Sequence, residues 1–151
     1  MQAAKELREL LEKRKFAGSH TRTNIARGAE TWTHPGGRVL LKEKVLSDVV
    51  KKGKIFDLVQ AQLPWVEQVT LNKNTLCTRH TDRNEGNSCI AFFGDFEGGG
   101  LFVETPEGIR HLQDKEVFHE YNGRHPHWTE EWTGGDRYSV VAYRKPPKKE
   151  T

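Results

Sequence analysis

Residues 71–82 read LNKNTLCTRHTD and end in the triplet His80-Thr81-Asp82. In a β-strand, side chains alternate between the two faces, so His80 and Asp82 project to the same side while Thr81 points away. An imidazole and a carboxylate in this arrangement can ligate one metal ion, although an ordinary surface strand can also carry the pair by chance. A third ligand must come from elsewhere, and the candidate histidines downstream are His111, His119, His125 and His127.

Two metal chemistries are compatible with such a pair. Two histidines and one carboxylate on one face of an octahedron form the ligand set of non-haem Fe(II) oxygenases, which keep other positions open for cosubstrate and dioxygen. Zinc hydrolases often place a Glu base beside their histidines. No Glu stands in that zincin spacing in this sequence. The pattern therefore favours an iron oxygenase over a hydrolase.

The C-terminal segment 121–143 reads YNGRHPHWTEEWTGGDRYSVVAY and contains a second polar pair. Arg137 and Ser139 share one face of a predicted strand that continues into an apolar run, so we expect the guanidinium at a buried sheet surface. A buried arginine needs a partner, and a carboxylate fits its planar fork. The far carboxylate of 2-oxoglutarate would provide one.

The hydrophobic pattern changes along the chain from helical to β-type. Residues 3–15 have the apolar spacing of an amphipathic helix, 17–37 are predicted to be extended or looped, and 44–62 fit one or two helices. From residue 66 the pattern predicts short strands near 67–72, 75–81, 88–94, 100–104, 109–112, 116–120 and 137–144. Helices followed by many short strands predict a mainly β fold, a helix-supported sandwich or jelly roll.

Length and composition place limits on the class of protein. The 151 residues suit one domain, and no apolar run is long enough to span a bilayer. The two cysteines, Cys77 and Cys89, and the charged N-terminus predict an intracellular protein without a secretory signal. Residues 1–57 carry a net charge of about +6, residues 58–143 about −6 and the tail 144–151 about +3. The basic ends either contact a polyanion or only aid solubility.

Four segments together resemble the Fe(II)/2-oxoglutarate-dependent dioxygenase superfamily. They are residues 71–82, the segment 88–101 (SCIAFFGDFEGGGL), His127, and the triplet Arg137-Tyr138-Ser139. The resemblance covers about residues 66–143. The GDFEGG and RYS strings are most similar to a branch that contains the TET/JBP nucleic-acid oxygenases, and the prolyl-hydroxylase-like branch is the other candidate. The fold implied is a double-stranded β-helix, the cupin-like jelly roll.

The resemblance assigns roles to individual residues. It implies that His80, Asp82 and His127 are the iron ligands. His127 is preferred to His125 because it follows Pro126 and lies ten residues before Arg137. Arg137 would pair with the 5-carboxylate of 2-oxoglutarate.

Further positions follow from the same resemblance and from strand parity. Ser139 would donate its hydroxyl beside the 5-carboxylate. Asn74 lies where such enzymes often contact the cosubstrate, and its even offset from His80 would let both face the barrel interior, unless it is an ordinary turn residue. The odd offset of Cys77 from His80 predicts that its side chain packs in the core instead.

The activity implied is a dioxygenase reaction in which Fe(II), 2-oxoglutarate and O2 hydroxylate or oxidise a substrate, with release of succinate and CO2. The substrate is left open between a nucleic-acid base, a peptidyl side chain of the prolyl type and a small metabolite. Trp128 and Trp132 could stack on a base, or simply pack the sheet. The alternative from another class of function is a cupin-like module that binds a metal ion but has no enzymatic activity.

The expected organisation is one domain over residues 1–151, with no membrane partner. Residues 1–65 would form a helical and looped support, residues 66–144 the catalytic jelly-roll core, and residues 145–151 a basic tail.

Overall fold

The computed structural model describes residues 2–16, 31–34, 37–40 and 47–145. The helices are α1 (Gln2–Lys13) and α2 (Lys54–Gln62). The strands are β1 (Thr31–His34), β2 (Gly37–Leu40), β3 (Ser47–Val50), β4 (Gln68–Lys73), β5 (Glu85–Phe93), β6 (Phe96–Gly98), β7 (Leu101–Thr105), β8 (Gly108–Leu112), β9 (His119–Tyr121), β10 (His127–Thr129), β11 (Trp132–Gly134) and β12 (Tyr138–Arg144).

Two antiparallel sheets build the fold. The larger sheet has the strand order β3-β4-β12-β5-β9, and the smaller has the order β10-β7-β8, with β6 and β11 forming a further pair. In the larger sheet Tyr138 of β12 lies opposite Lys73 of β4 on one side and Phe93 of β5 on the other. The non-consecutive strand order is that of a jelly roll, which confirms the mainly β prediction.

The apolar side chains form one core on each face of the larger sheet. Leu7 and Leu11 of α1 and Val59 of α2 pack on its outer face, and all three side chains are 1% exposed or less. Along β12, Tyr138, Val140 and Ala142 belong to this outer core. Because side chains alternate, Ser139, Val141 and Tyr143 face the space between the two sheets, where they line a cavity.

The predictions for α1, α2, β4, β5, β7, β8 and β12 are confirmed to within a few residues at each end. The predicted strand 75–81 is wrong, because after β4 the chain turns at Asn74 (φ 51°) and then makes only isolated bridges.

Part of the predicted helical region 44–62 is also wrong. Residues 47–50 form the strand β3, where Val49 and Val50 pair with Thr70 and Val69 at the edge of the larger sheet. β-Branched residues followed by a break at Gly53 suit an edge strand better than a helix. Residues 17–37, predicted to be extended or looped, lie mostly outside the described residues. Their described part includes β1, which pairs with β2 and is extended as predicted.

The glycine at the end of β5 is required by the fold. Gly94 has a φ of +132°, and a Cβ placed on it would lie 2.2 Å from the carbonyl oxygen of Asp136. Gly108 has a similar φ of +126°, with nothing within 4 Å of such a Cβ. We expect Gly94→Ala to lower the free energy of unfolding by about 2–3 kcal/mol more than Gly108→Ala, because only the first adds a backbone clash to the strain. Urea unfolding measures both losses, and equal losses would contradict the clash.

Candidate active site

Three side chains that the sequence selected as metal ligands meet between the sheets. One ligand atom from each of His80, Asp82 and His127 lies within 4.8 Å of the other two. The two rings are in edge-to-face contact with their centroids 4.3 Å apart, and the Asp82 carboxylate lies near both, with Oδ2 3.1 Å from Nε2 of His127 and Oδ1 3.8 Å from Nε2 of His80. His127 is buried, whereas His80 and Asp82 are partly open to the cavity.

Backbone hydrogen bonds hold these three residues together across 47 positions of sequence. The amide of His80 donates to the carbonyl of His127 at 3.0 Å, and the amide of His127 donates back to His80 at 2.9 Å. The amide of Asp82 donates to the carbonyl of Gly123 at 2.7 Å. The segment around His80 therefore keeps its place beside β10 without forming a regular strand.

The ring nitrogens are oriented as metal ligation requires. Nδ1 of His80 lies 2.6 Å from the carbonyl oxygen of Thr78, and Nδ1 of His127 lies 2.8 Å from that of His125. A carbonyl can only accept, so this network assigns the proton of each neutral ring to Nδ1 and leaves the Nε2 lone pair facing Asp82. Lone pairs and a carboxylate that converge in this way repel one another unless a proton or a metal ion lies between them. The donor set fits a divalent metal ion.

The buried Arg137 lies in the same cavity. Its side chain is 2% exposed, Nε donates to the carbonyl oxygen of Gly99 at 2.5 Å, and the guanidinium lies over the rings of Phe92 and Trp132, 5.3 and 5.4 Å from their centroids. Burial lowers the pKa of Arg137 to about 10, so the group still carries its charge at neutral pH. Among the described residues no carboxylate forms an ion pair with it.

The cavity that joins these groups has a volume of about 320 Å³. Arg137, Ser139, Asn72 and the three converging ligand residues are part of its wall. The Ser139 hydroxyl accepts a hydrogen bond of 3.2 Å from Nδ2 of Asn72, so its own hydrogen is available to an acceptor in the cavity. The cavity therefore offers metal ligands together with a cationic and a hydroxyl donor.

The side chain of Asn74 does not line the cavity and forms hydrogen bonds with the loop before β12. Its Oδ1 accepts from the amide of Arg137 at 2.8 Å, and its Nδ2 donates to Asp136 at 2.8 Å, so it holds the loop that leads into β12. The even offset between Asn74 and His80 does not place both side chains on one face, because the regular strand β4 ends at Lys73. Sequence reasoning missed Asn72, although the apolar Val69 and Leu71 of β4 already indicated that Asn72 faces the other way.

The two tryptophans near His127 do not line the cavity. Trp132 is 2% exposed and belongs to the inner core, and Trp128 contacts the Phe102 ring at a centroid distance of 5.5 Å. The sheet-packing interpretation thus matches their placement. His125 lines a separate surface groove next to Arg110.

The remaining candidate histidines also lie away from the metal ligands. His111 bonds to Glu130 at 2.8 Å, and His119 bonds to the carbonyl of Asp114 at 2.7 Å.

The prediction that Cys77 packs away from the site is wrong, because Cys77 lines the cavity.

Cys89 is buried in β5, where burial and, to a lesser extent, the charge of Glu120 raise the pKa of its thiol to about 11. A raised thiol pKa means little reactive thiolate near pH 8. We expect iodoacetamide to modify Cys77 and to spare Cys89 in the folded protein, as measured by peptide mass spectrometry.

Two comparisons make this thiol prediction specific. The Cys77→Ser variant is expected to take up no label until the protein is denatured. A ligand that fills the cavity is expected to slow labelling of Cys77. Labelling of native Cys89 at a similar rate to Cys77 would contradict the placement of the two thiols.

Comparison with solved structures shows the class of fold. The chain superposes on a prolyl-4-hydroxylase from Pseudomonas putida with a TM-score of 0.60 and 13% identity, over 97% of this chain and 85% of that one. A 2OG-Fe(II) oxygenase family oxidoreductase from Burkholderia pseudomallei matches 61% of this chain with a TM-score of 0.46 and 14% identity, and the chain spans 50% of its length.

The fold is therefore a jelly roll of the kind found in the Pseudomonas putida prolyl-4-hydroxylase. No protein-family model matches the sequence, and no curated protein is significantly similar to it. Within the described part of the chain, neither helix has the length and apolar character needed to cross a membrane.

Proposed function

We propose that this protein is an Fe(II)- and 2-oxoglutarate-dependent oxygenase that hydroxylates its substrate and releases succinate and CO2. One observation carries the proposal: a converging His-Asp-His ligand set and a buried arginine without an ion-pair partner among the described residues share one cavity of about 320 Å³. Neither group alone specifies this chemistry. Together they fit the two ends of a 2-oxo dicarboxylic acid bound to a metal.

His80, Asp82 and His127 would hold the iron through the two Nε2 atoms and a carboxylate oxygen. Bound ferrous iron would supply the dioxygen chemistry that the side chains themselves cannot perform. The protein contributes orientation, because the carbonyls of residues 78 and 125 hold both rings through Nδ1. Such partners of the ligands commonly affect metal affinity about 10- to 100-fold.

Arg137 would bind the 5-carboxylate of 2-oxoglutarate. Its guanidinium is held in advance by the Gly99 carbonyl and by two aromatic rings, so little side-chain entropy is lost on binding. Ser139 would donate its hydroxyl to the same carboxylate while accepting from Asn72. With its 5-carboxylate bound there, the cosubstrate would present its 2-oxo acid end to the metal ligands in the same cavity.

We propose further that the substrate is a peptidyl side chain. The fold shared with a prolyl-4-hydroxylase supports this class. The case for a nucleic-acid base drew on the basic ends of the chain, on the GDFEGG and RYS strings and on stacking by Trp128 and Trp132. The stacking argument loses its support because both tryptophans lie outside the cavity. The cavity wall instead carries the neutral hydrogen-bonding groups of Gln68, Thr70 and Tyr143, which suit peptide amides.

Succinate formation tests the proposal. Purified protein is supplied with Fe(II), 2-oxoglutarate and air, and succinate is quantified by mass spectrometry with and without a pooled peptide library or pooled oligonucleotides. We expect slow succinate formation without substrate and faster formation with peptides. Metal binding without any succinate would favour the non-enzymatic cupin-like module, and stimulation by oligonucleotides alone would overturn the peptidyl assignment.

A further inference from the structure

A lysine-rich surface lies on the helical side of the larger sheet, the face opposite to the one that carries the cavity. It combines the end of α1 with the turn between β3 and α2, and the groove between them has a volume of about 450 Å³. Four exposed lysines line it, Lys13, Lys15, Lys52 and Lys54, and the exposed Lys51 is next to Lys52 in the turn; these five residues are here called the lysine groove. The two sequence segments are more than 35 residues apart, so the fold brings their charges together.

The charge of the lysine groove is not neutralised by the described residues. None of its five lysines forms an ion pair with a carboxylate in the part of the chain that the structure describes. Asp48, the nearby carboxylate of β3, is already bonded to Arg14 at 3.1 Å. The other acidic side chains of the bordering helices include Glu9 and Glu12 of α1, where Glu12 pairs with Arg8, and Asp57 in the first turn of α2. An excess of unpaired positive charge favours an anionic partner.

The position of the lysine groove connects it with the cavity. β3 ends at Val50, which lies opposite Val69 of β4, so Lys51 and Lys52 leave the sheet at the end where β4 begins. At that same end Gln68 lies opposite Tyr143 of β12, and both line the cavity. Neighbouring strands are about 4.8 Å apart, so Lys51 is about two strand spacings from Tyr143.

The floor of the lysine groove indicates the kind of anion. Leu10, Val50 and Ile55 line it, and no aromatic side chain does so among the described residues. Single-stranded nucleic acids are usually held by a basic groove combined with aromatic rings on which bases stack. An aliphatic floor with a lysine rim instead matches a peptide in which carboxylates alternate with aliphatic side chains.

We propose that the lysine groove docks an acidic segment of the polypeptide substrate, next to the residue that enters the cavity. This inference rests on the proposed peptidyl hydroxylase function for its biological meaning, but the docking itself requires neither iron nor 2-oxoglutarate. A protein substrate would then be recognised at two places: by its reacting side chain in the cavity and by carboxylates on the adjoining surface.

Binding to metal-free protein tests the docking separately from catalysis. The probe is a fluorescein-labelled peptide of about twelve residues with the repeat Glu-Glu-Leu, followed by fluorescence anisotropy at low salt. We expect the double variant Lys13→Gln/Lys52→Gln to bind it about fivefold to tenfold more weakly than wild type. The matched control Lys5→Gln/Arg110→Gln loses the same charge elsewhere and is expected to stay within about twofold.

Three outcomes would overturn the inference. The first is an equal loss of peptide affinity in the two double variants. The second is a peptide affinity that does not fall as the salt concentration rises from about 50 to 200 mM. The third is tighter binding of an oligothymidylate of equal charge than of the peptide, which would indicate a nucleic-acid surface. With an acidic peptide substrate, the lysine variant should raise KM and leave kcat unchanged. Failure of this docking would leave succinate formation intact, whereas failure of catalysis would leave the anisotropy result intact.

Discussion

His80→Ala and Asp82→Ala are each expected to reduce succinate formation at least about 100-fold and to weaken metal binding, while the protein stays folded. Each change removes one of three converging ligand atoms, which lie within 4.8 Å of one another. Loss of even an indirect partner of a metal ligand commonly costs about 10- to 100-fold, so loss of a ligand itself should cost at least as much. Both side chains are partly exposed, so no large apolar cavity is created.

The readouts for this first prediction are succinate by mass spectrometry and the absorption of Co(II) bound in place of iron. His111→Gln provides the matched control, because His111 bonds to Glu130 outside the cavity. It should keep its turnover and its Co(II) spectrum. Full turnover in either ligand variant, with unfolding transitions like those of wild type, would refute the metal assignment.

The second large effect is expected from Arg137. Truncating one partner of a buried, hydrogen-bonded charge pair costs about 2–5 kcal/mol, because the other charge is left unpaired. We therefore expect Arg137→Gln to raise the apparent KM for 2-oxoglutarate about 100-fold, with a smaller effect on kcat at saturating cosubstrate. Arg137→Lys should recover only part of the loss, because a lysine keeps the charge but lacks the planar fork.

The control for Arg137 is Arg79→Gln. Arg79 pairs with Glu104 at 2.8 Å on the exposed surface, where an ion pair contributes little, so its removal should leave the KM for 2-oxoglutarate unchanged. Because Arg137 also packs against Phe92 and Trp132, urea unfolding of Arg137→Gln should accompany the kinetics. An unchanged KM in a folded Arg137→Gln protein would remove the cosubstrate role.

The sequence also indicated where individual side chains would point, and it succeeded where a regular strand was present. Alternation along β12 correctly placed Arg137 and Ser139 on one face. The same rule failed for Asn74 and Cys77, because the chain turns at Asn74 with a positive φ and runs irregularly to His80. An even or odd spacing between two residues predicts whether their side chains share a face only while the backbone between them stays extended.

Short elements were the other source of error. β6, β10 and β11 have three residues each, too few for a period of two to be recognised. The sequence pattern predicts a helix where β3 forms, because the apolar residues of so short a segment fit the period of a helix as well as that of a strand. The pairing of Val50 with Val69, a contact between distant residues, decides in favour of the strand.

By itself the sequence determined the chemistry of the ligands, the mainly β pattern and the polar face of β12, because each is encoded in residues close together in the chain. Motif spacing alone left His111, His119, His125 and His127 open, and the family resemblance selected His127. The tertiary structure shows that this ring meets His80 and Asp82. It also decided that Asn72 lines the cavity and that the lysines of two segments converge. These depend on hydrogen bonds and packing between residues far apart in sequence, which no local pattern records.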